Sequence, residues 1–174
     1  MKSLTNQIMC VVMLCLASSC KKGTDTSPSE ASATLKIEAS TTTNINNDAL
    51  LKLVNDTRLA GCTCGTTTMP PVGTVTWNAN LASAAVYQSN YMASIKQLVH
   101  TSAKGETVGD RAKAAGYIWL TVGENLAEGQ TTEAQVFIDW IKSESHCKNI
   151  MNASFKDMGA AKSGVYWVQV FGAR

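Results

Sequence analysis

The sequence predicts a mixed α/β domain in which helices cover a sheet, and three observations carry that expectation. Segments with apolar residues at helical spacing, such as Leu81, Ala84, Ala85, Tyr91, Met92 and Ile95, alternate with short extended runs. Near the C-terminus Tyr166, Val168 and Val170 alternate against Trp167, Gln169 and Phe171 beyond a Ser163-Gly164 turn, the pattern of a hairpin. The stretch apolar enough to fold, Asp48 to Arg174, is the size of one ordinary domain.

The chain opens with Met1-Lys2 and an apolar run from Ile8 to Leu16, too short to span a bilayer and suited to a signal-peptide core. Leu16-Ala17-Ser18-Ser19-Cys20 then resembles a bacterial lipobox, although Ala17 stands where leucine is usual. Residues 1–19 are therefore expected to be a lipoprotein signal peptide and Cys20 the acylated residue that partners a membrane, with a plain secretory cut near Ala17 as the alternative. Both routes export the protein. Residues 20–47 are rich in Ser, Thr, Ala and Asn and lack aromatics, so they read as a flexible tether. The folded domain is expected over residues 48–174.

Within that domain, Asn47 or Asp48 can cap a helix that places Leu50, Leu51 and Val54 on one face and ends at Gly61. An irregular loop to Pro71 precedes the extended Val75-Thr76-Trp77, and Asn78 caps a longer helix expected to end near Val99, leaving His100 at its C-terminal end. Asp110 can cap a short helix from Arg111 to Ala115, closed by Gly116. Trp119 to Gly123 reads as extended and ends at Glu124. Thr132 and Gln135 fit a capping box for a helix whose buried stripe is Val136, Phe137, Trp140 and Ile141, with His146 shortly after it. Trp77, Trp140 and Trp167 sit at patterned positions and read as core.

Charge gives little direction: 15 basic against 13 acidic residues leave a formal +2, and no basic run interleaves with aromatics. A nucleic-acid surface is not expected. Of six cysteines, Cys10 and Cys15 lie in the signal core and Cys20 at its end, leaving Cys62, Cys64 and Cys147 in the domain. Outside the cytoplasm a disulfide between Cys147 and either Cys62 or Cys64 is expected. The competing reading is a zinc site of Cys62, Cys64, Cys147 and His146, against which Cys-x-Cys is tighter than the usual structural spacing.

The only two histidines, His100 and His146, together with Glu124 of Gly123-Glu124-Asn125, offer the residue types of a divalent-metal or acid/base site. A histidine on its own is more often a hydrogen-bonded structural residue. Asn55 and Arg58, Val75 to Asn78, Val99-His100-Thr101, Asp110-Arg111 with Ala115-Gly116-Tyr117, Gly123-Glu124-Asn125-Leu126, Trp140 to Ser143, His146 to Met151, Gly159 and Trp167 to Gly172 occur in this order. In that ordered set the chain resembles bacterial members of the CAP superfamily, the cysteine-rich secretory, antigen 5 and pathogenesis-related 1 or SCP-like extracellular proteins, over nearly all of residues 48–172.

The resemblance implies a three-layer α-β-α sandwich with a central antiparallel sheet and a groove lined by two histidines and two acids. By motif His100, Glu124 and His146 take three of those places, with Glu106 the open candidate for the fourth because Asp110 is needed as a cap. Glu144-Ser145 departs from the Pro-Gly usual before the second histidine. The expected function is an exported binding or interaction module whose groove takes a divalent cation such as zinc through His100 and His146, or a lipid or peptide. The alternatives are a metal-dependent hydrolase, protease or esterase, with Glu124 as general base, and a structural envelope protein. A serine hydrolase is disfavoured, since no Gly-x-Ser-x-Gly occurs and neither Ser102 nor Ser145 has an assigned oxyanion hole.

Overall fold

The computed structural model describes residues 42–174. The expected signal peptide, Cys20 and the tether up to residue 41 lie outside the described residues. Five helices and six strands follow in the order α1 (Asn47–Ala60), β1 (Cys62–Cys64), β2 (Thr67–Met69), β3 (Thr76–Trp77), α2 (Ala79–Ile95), α3 (Val108–Ala114), β4 (Thr121–Glu128), α4 (Glu133–Lys142), α5 (Glu144–Ile150), β5 (Asp157–Ser163) and β6 (Tyr166–Ala173). The main sheet has the order β3-β5-β6-β4, antiparallel except where the two-residue β3 joins β5 in parallel.

Two apolar cores, one on each face of this sheet, make the α-β-α sandwich. Leu50 and Val54 of α1, Val136, Phe137 and Trp140 of α4 and Ile150 of α5 bury one face against Met158, Ala160, Trp167 and Phe171. Leu81, Ala85 and Met92 of α2 with Ala112 of α3 bury the other against Leu126, Ala161, Val168 and Val170. The alternation read from Tyr166 to Phe171 thus serves two cores, because β6 is covered on both sides.

Several boundaries differ from those the residue pattern suggests. Asn46, one residue earlier than expected, caps α1 by accepting from the Ala49 amide. The loop after Gly61 is a small antiparallel hairpin, β1–β2, whose turn carries Gly65 at a φ of 62°. Helix α2 stops at Ile95, short of Val99, because Lys96 enters the left-handed region at a φ of 55° and returns its N–H to the Met92 carbonyl. Helix α3 begins before Asp110: Thr107 is the cap, and Asp110 is the third helical residue of a reciprocal capping box. Strand β4 continues four residues past Glu124, since Asn125 to Glu128 keep their pairing with β6. His146 lies within α5 and not in a loop.

Arg58 occupies the third position of the Leu50, Val54 stripe and is fully buried. Its guanidinium donates to the carbonyls of Gly73 at 2.7 Å, Ile150 at 2.6 Å, Asn152 at 3.0 Å and Phe155 at 3.2 Å. One side chain therefore gathers four carbonyls from the end of α5 and the loops beside it, one of which, that of Asn152, also accepts the Phe155 amide. On the other face, Gly159 lets α2 approach β5 to backbone contact: a Cβ there would lie 2.1 Å from the Ala82 nitrogen. We predict that Gly159→Ala destabilises the fold by about 3 kcal/mol in urea unfolding, the upper range for overpacking. A loss under about 0.5 kcal/mol would contradict this packing.

Candidate functional site

The candidate site is built on the outer strand of the sheet. Successive side chains of a strand point to opposite faces, so Glu124 and Asn125 leave β4 in opposite directions. Glu124 joins the face covered by α2 and α3, and Asn125 joins the face covered by α4 and α5. Gly123 beside them has no room for a side chain, since a Cβ would sit 2.8 Å from the Phe155 ring.

Both oxygens of the Glu124 carboxylate are occupied. Oε2 meets His100 Nδ1 at 2.8 Å, and Oε1 accepts from Arg111 Nη2 at 2.5 Å. The carboxylate and guanidinium side chains are each only 2 % exposed, whereas that of His100 is 64 % exposed. The other terminal nitrogen of Arg111 donates to the carbonyls of His100 at 3.1 Å and Glu106 at 2.9 Å and to Ser102 Oγ at 3.2 Å. Arg111 thus closes the loop between His100 and Glu106 onto β4. Gln88 of α2 holds the start of that loop by donating to the Val99 carbonyl at 2.5 Å.

On the opposite face Asn125 Nδ2 donates to the His146 carbonyl at 3.1 Å and to Gln169 Oε1 at 3.0 Å. Asn149 of α5 donates to the Glu124 carbonyl at 3.2 Å and to Asn125 Oδ1 at 2.9 Å. These bonds fix the helix that carries His146 along the strand edge. The two rings are close enough to interact electrostatically.

Their protonation is split. The hydrogen bond that His100 donates to Glu124 raises the His100 pKa, against an opposing contribution from burial. Burial and then the charge of His100 lower that of His146. The Glu124 bond to His100 is a stabilisation fully present below the ordinary histidine value of about 6.5 and lost as pH rises through the higher folded value. His146 acts in the opposite sense: its stability loss grows as pH falls below about 6.5 toward its lower folded value.

The structure brings His100 and Glu124 into contact and sets His146 across the strand edge from them. One oxygen of the Glu106 carboxylate accepts from the Tyr87 hydroxyl at 3.0 Å, beside a cavity of about 250 Å³ that Ser83, Ala84 and Arg111 also line. Glu144 pairs with Lys148 at 2.5 Å and lies over the Gly65 turn, so its acid does not join the histidines. Ser102 is buried and bonded to Arg111. Cys64 is the cysteine that pairs with Cys147, and Cys62 is free. Among the described residues, the trio of His, Cys, Asp or Glu ligand atoms grouped closely enough for one ion is Cys62, Cys64 and Cys147. The sequence reading missed the central role of Arg111. Its signal was available, because Val108, Arg111, Ala112 and Ala115 share one helical face and so place an arginine on a buried stripe.

A family model described as the cysteine-rich secretory protein family, CAP, matches residues 51–171. The chain belongs to that family. The CAP domain of this chain is 42 % identical over 64 residues to the uncharacterized protein YkwD of Bacillus subtilis (strain 168), a match that spans 36 % of this chain and only 25 % of that protein. An extracellular protein containing an SCP domain from Bacillus anthracis has a similar structure, with a TM-score of 0.66 at 23 % identity over 74 % of this chain and 40 % of that one. An outer surface protein from Borrelia burgdorferi superposes with a TM-score of 0.63 at 18 % identity, over 73 % of this chain and 91 % of that one. These structural likenesses establish the α-β-α sandwich.

For the CAP site we predict that the two histidines titrate on opposite sides of about 6.5, His100 above and His146 below, in proton NMR. In His100→Ala the His146 value should rise toward the ordinary one. A His100 that titrates below His146 would contradict the Glu124 bond.

Proposed function

We propose that this protein is an exported CAP-domain binding module, anchored to a membrane through a lipid on Cys20, whose groove binds a divalent cation through His100 and His146. The observation that carries this reading is the full engagement of Glu124. A carboxylate bonded through one oxygen to Arg111 and through the other to a histidine Nδ1 orients an imidazole, as the outer partners of metal-ligating histidines do. It leaves the outer nitrogen of the exposed His100 ring free to act as a ligand. The lowered pKa of His146 favours the neutral ring that a metal requires, whereas the raised pKa of His100 means that a cation must displace its second proton.

The donor set fits zinc or a similar borderline cation, with imidazoles as the two protein ligands. Remaining coordination positions would go to water or to a carboxylate or phosphate on a peptide or lipid. Export is supported by the signal-like N-terminus and by relatives described as extracellular or outer-surface proteins.

A hydrolytic reading is weaker because Glu124, as a general base, would have to leave a buried ion pair whose disruption costs about 3–5 kcal/mol. The test is calorimetric titration of zinc near neutral pH under non-reducing conditions. One zinc should bind per chain, and the His100→Ala, His146→Ala double variant should lose at least about tenfold in affinity, or about 1.4 kcal/mol. Equal affinity in both proteins would sink the proposal.

A further inference from the structure

Three sulfurs meet where the β1–β2 hairpin packs on α5. Cys64 and Cys147 are joined and fully buried, while Cys62 keeps a free, half-buried thiol 3.5 Å from Cys147 Sγ and 3.8 Å from Cys64 Sγ. The Cys-x-Cys spacing that is tight for a metal-binding turn acts differently on a strand. Residues two apart share one face, so Cys62 and Cys64 present their sulfurs together, and α5 lays Cys147 against both.

Two of the triangle's three edges have the length of a thiolate metal site, and the third, the Cys64–Cys147 bond, must open before the trio can hold an ion. A tetrahedral ion about 2.3 Å from each sulfur requires sulfur–sulfur edges of about 3.8 Å, and both edges from Cys62 are close to that. The arrangement is poorly suited to exchange within the trio. A thiolate attacking Cys147 along the disulfide axis would lie about 2 Å farther from Cys64 than from Cys147, whereas Cys62 approaches broadside at nearly equal distances. Burial also pushes the Cys62 thiol pKa up, which makes it a poor nucleophile until a metal displaces its proton.

We propose that reduction of the Cys64–Cys147 disulfide creates a three-thiolate site, Cys62, Cys64 and Cys147, for a thiophilic cation such as zinc, cadmium or copper(I). A dithiol reductant supplies two electrons and two protons, converts the disulfide to two thiols and departs as its own disulfide. A divalent ion then forms three metal–sulfur bonds and releases three protons to water, leaving a centre of net charge −1. A disulfide oxidant reverses the sequence: the Cys64–Cys147 bond re-forms, the oxidant is reduced to thiols and the ion is expelled. The disulfide and the metal are thus alternative cross-links between the same hairpin and helix.

The test uses the full chain with Cys10, Cys15 and Cys20 changed to serine, so that only the domain thiols remain. Cadmium is titrated before and after treatment with a phosphine reductant, which adds no competing thiol, and the ultraviolet thiolate-to-cadmium band is read. The oxidised chain should show no band. The reduced chain should show one that saturates at one ion per chain, with Cys62→Ser lowering affinity at least about tenfold. A reduced chain without the band, or a band indifferent to Cys62→Ser, overturns the proposal. If reduction unfolds the chain, recovery of the circular dichroism signal on adding cadmium supports the site, and failure to recover overturns it.

Discussion

The contact on which the site depends is the buried ion pair between Arg111 and Glu124. Arg111 is anchored in a helix of only seven residues, yet its guanidinium reaches a strand, two loop carbonyls and a serine hydroxyl. Such pairs add little net stability, but they are costly to break because the surviving charge is stranded in the interior. Here the pair supplies position: it holds the loop that carries His100 against the strand that carries Glu124. The result is an exposed imidazole held by a buried carboxylate that Arg111 in turn fixes.

The Gly-Glu-Asn triplet has a separate physical task at each residue. Gly123 admits the Phe155 ring, Glu124 anchors the α2/α3 face, and Asn125 anchors the α4/α5 face through Gln169 and the His146 carbonyl. Because β4 is the outer strand, its free edge is where the two faces meet. His100 and His146 come to this edge from the two opposite layers, close enough for the charge of one to act on the other. The Asn149 side chain takes up the Glu124 carbonyl on this edge, which blunts it against pairing with another strand.

Much of the fold was legible because its elements obey simple periodicities. The stripe of α2, the Asn78 and Thr132 caps, and the double-faced alternation of β6 all followed from residue type and spacing. What escaped were features decided by tertiary context. Lys96 ends α2 in a conformation more often taken by glycine, and β4 outruns its apolar segment because pairing with β6 continues. Of the site, the residue types and their order were readable, and the helical stripe marked Arg111 as buried, but which acid it pairs with was not readable, because long-range ion pairs leave no spacing in the chain. The bond from the Tyr87 hydroxyl to Glu106 is a further tertiary contact that spacing in the chain does not announce.

The claim that Glu124 orients His100 is most directly tested by the tautomer of that ring. Long-range nitrogen–proton NMR, at a pH high enough to leave His100 neutral, should find the proton on Nδ1, facing Glu124, with Nε2 bare. A proton mainly on Nε2, or a ring exchanging freely between both forms, would contradict the account, because the nitrogen offered to a cation would then be neither fixed nor free.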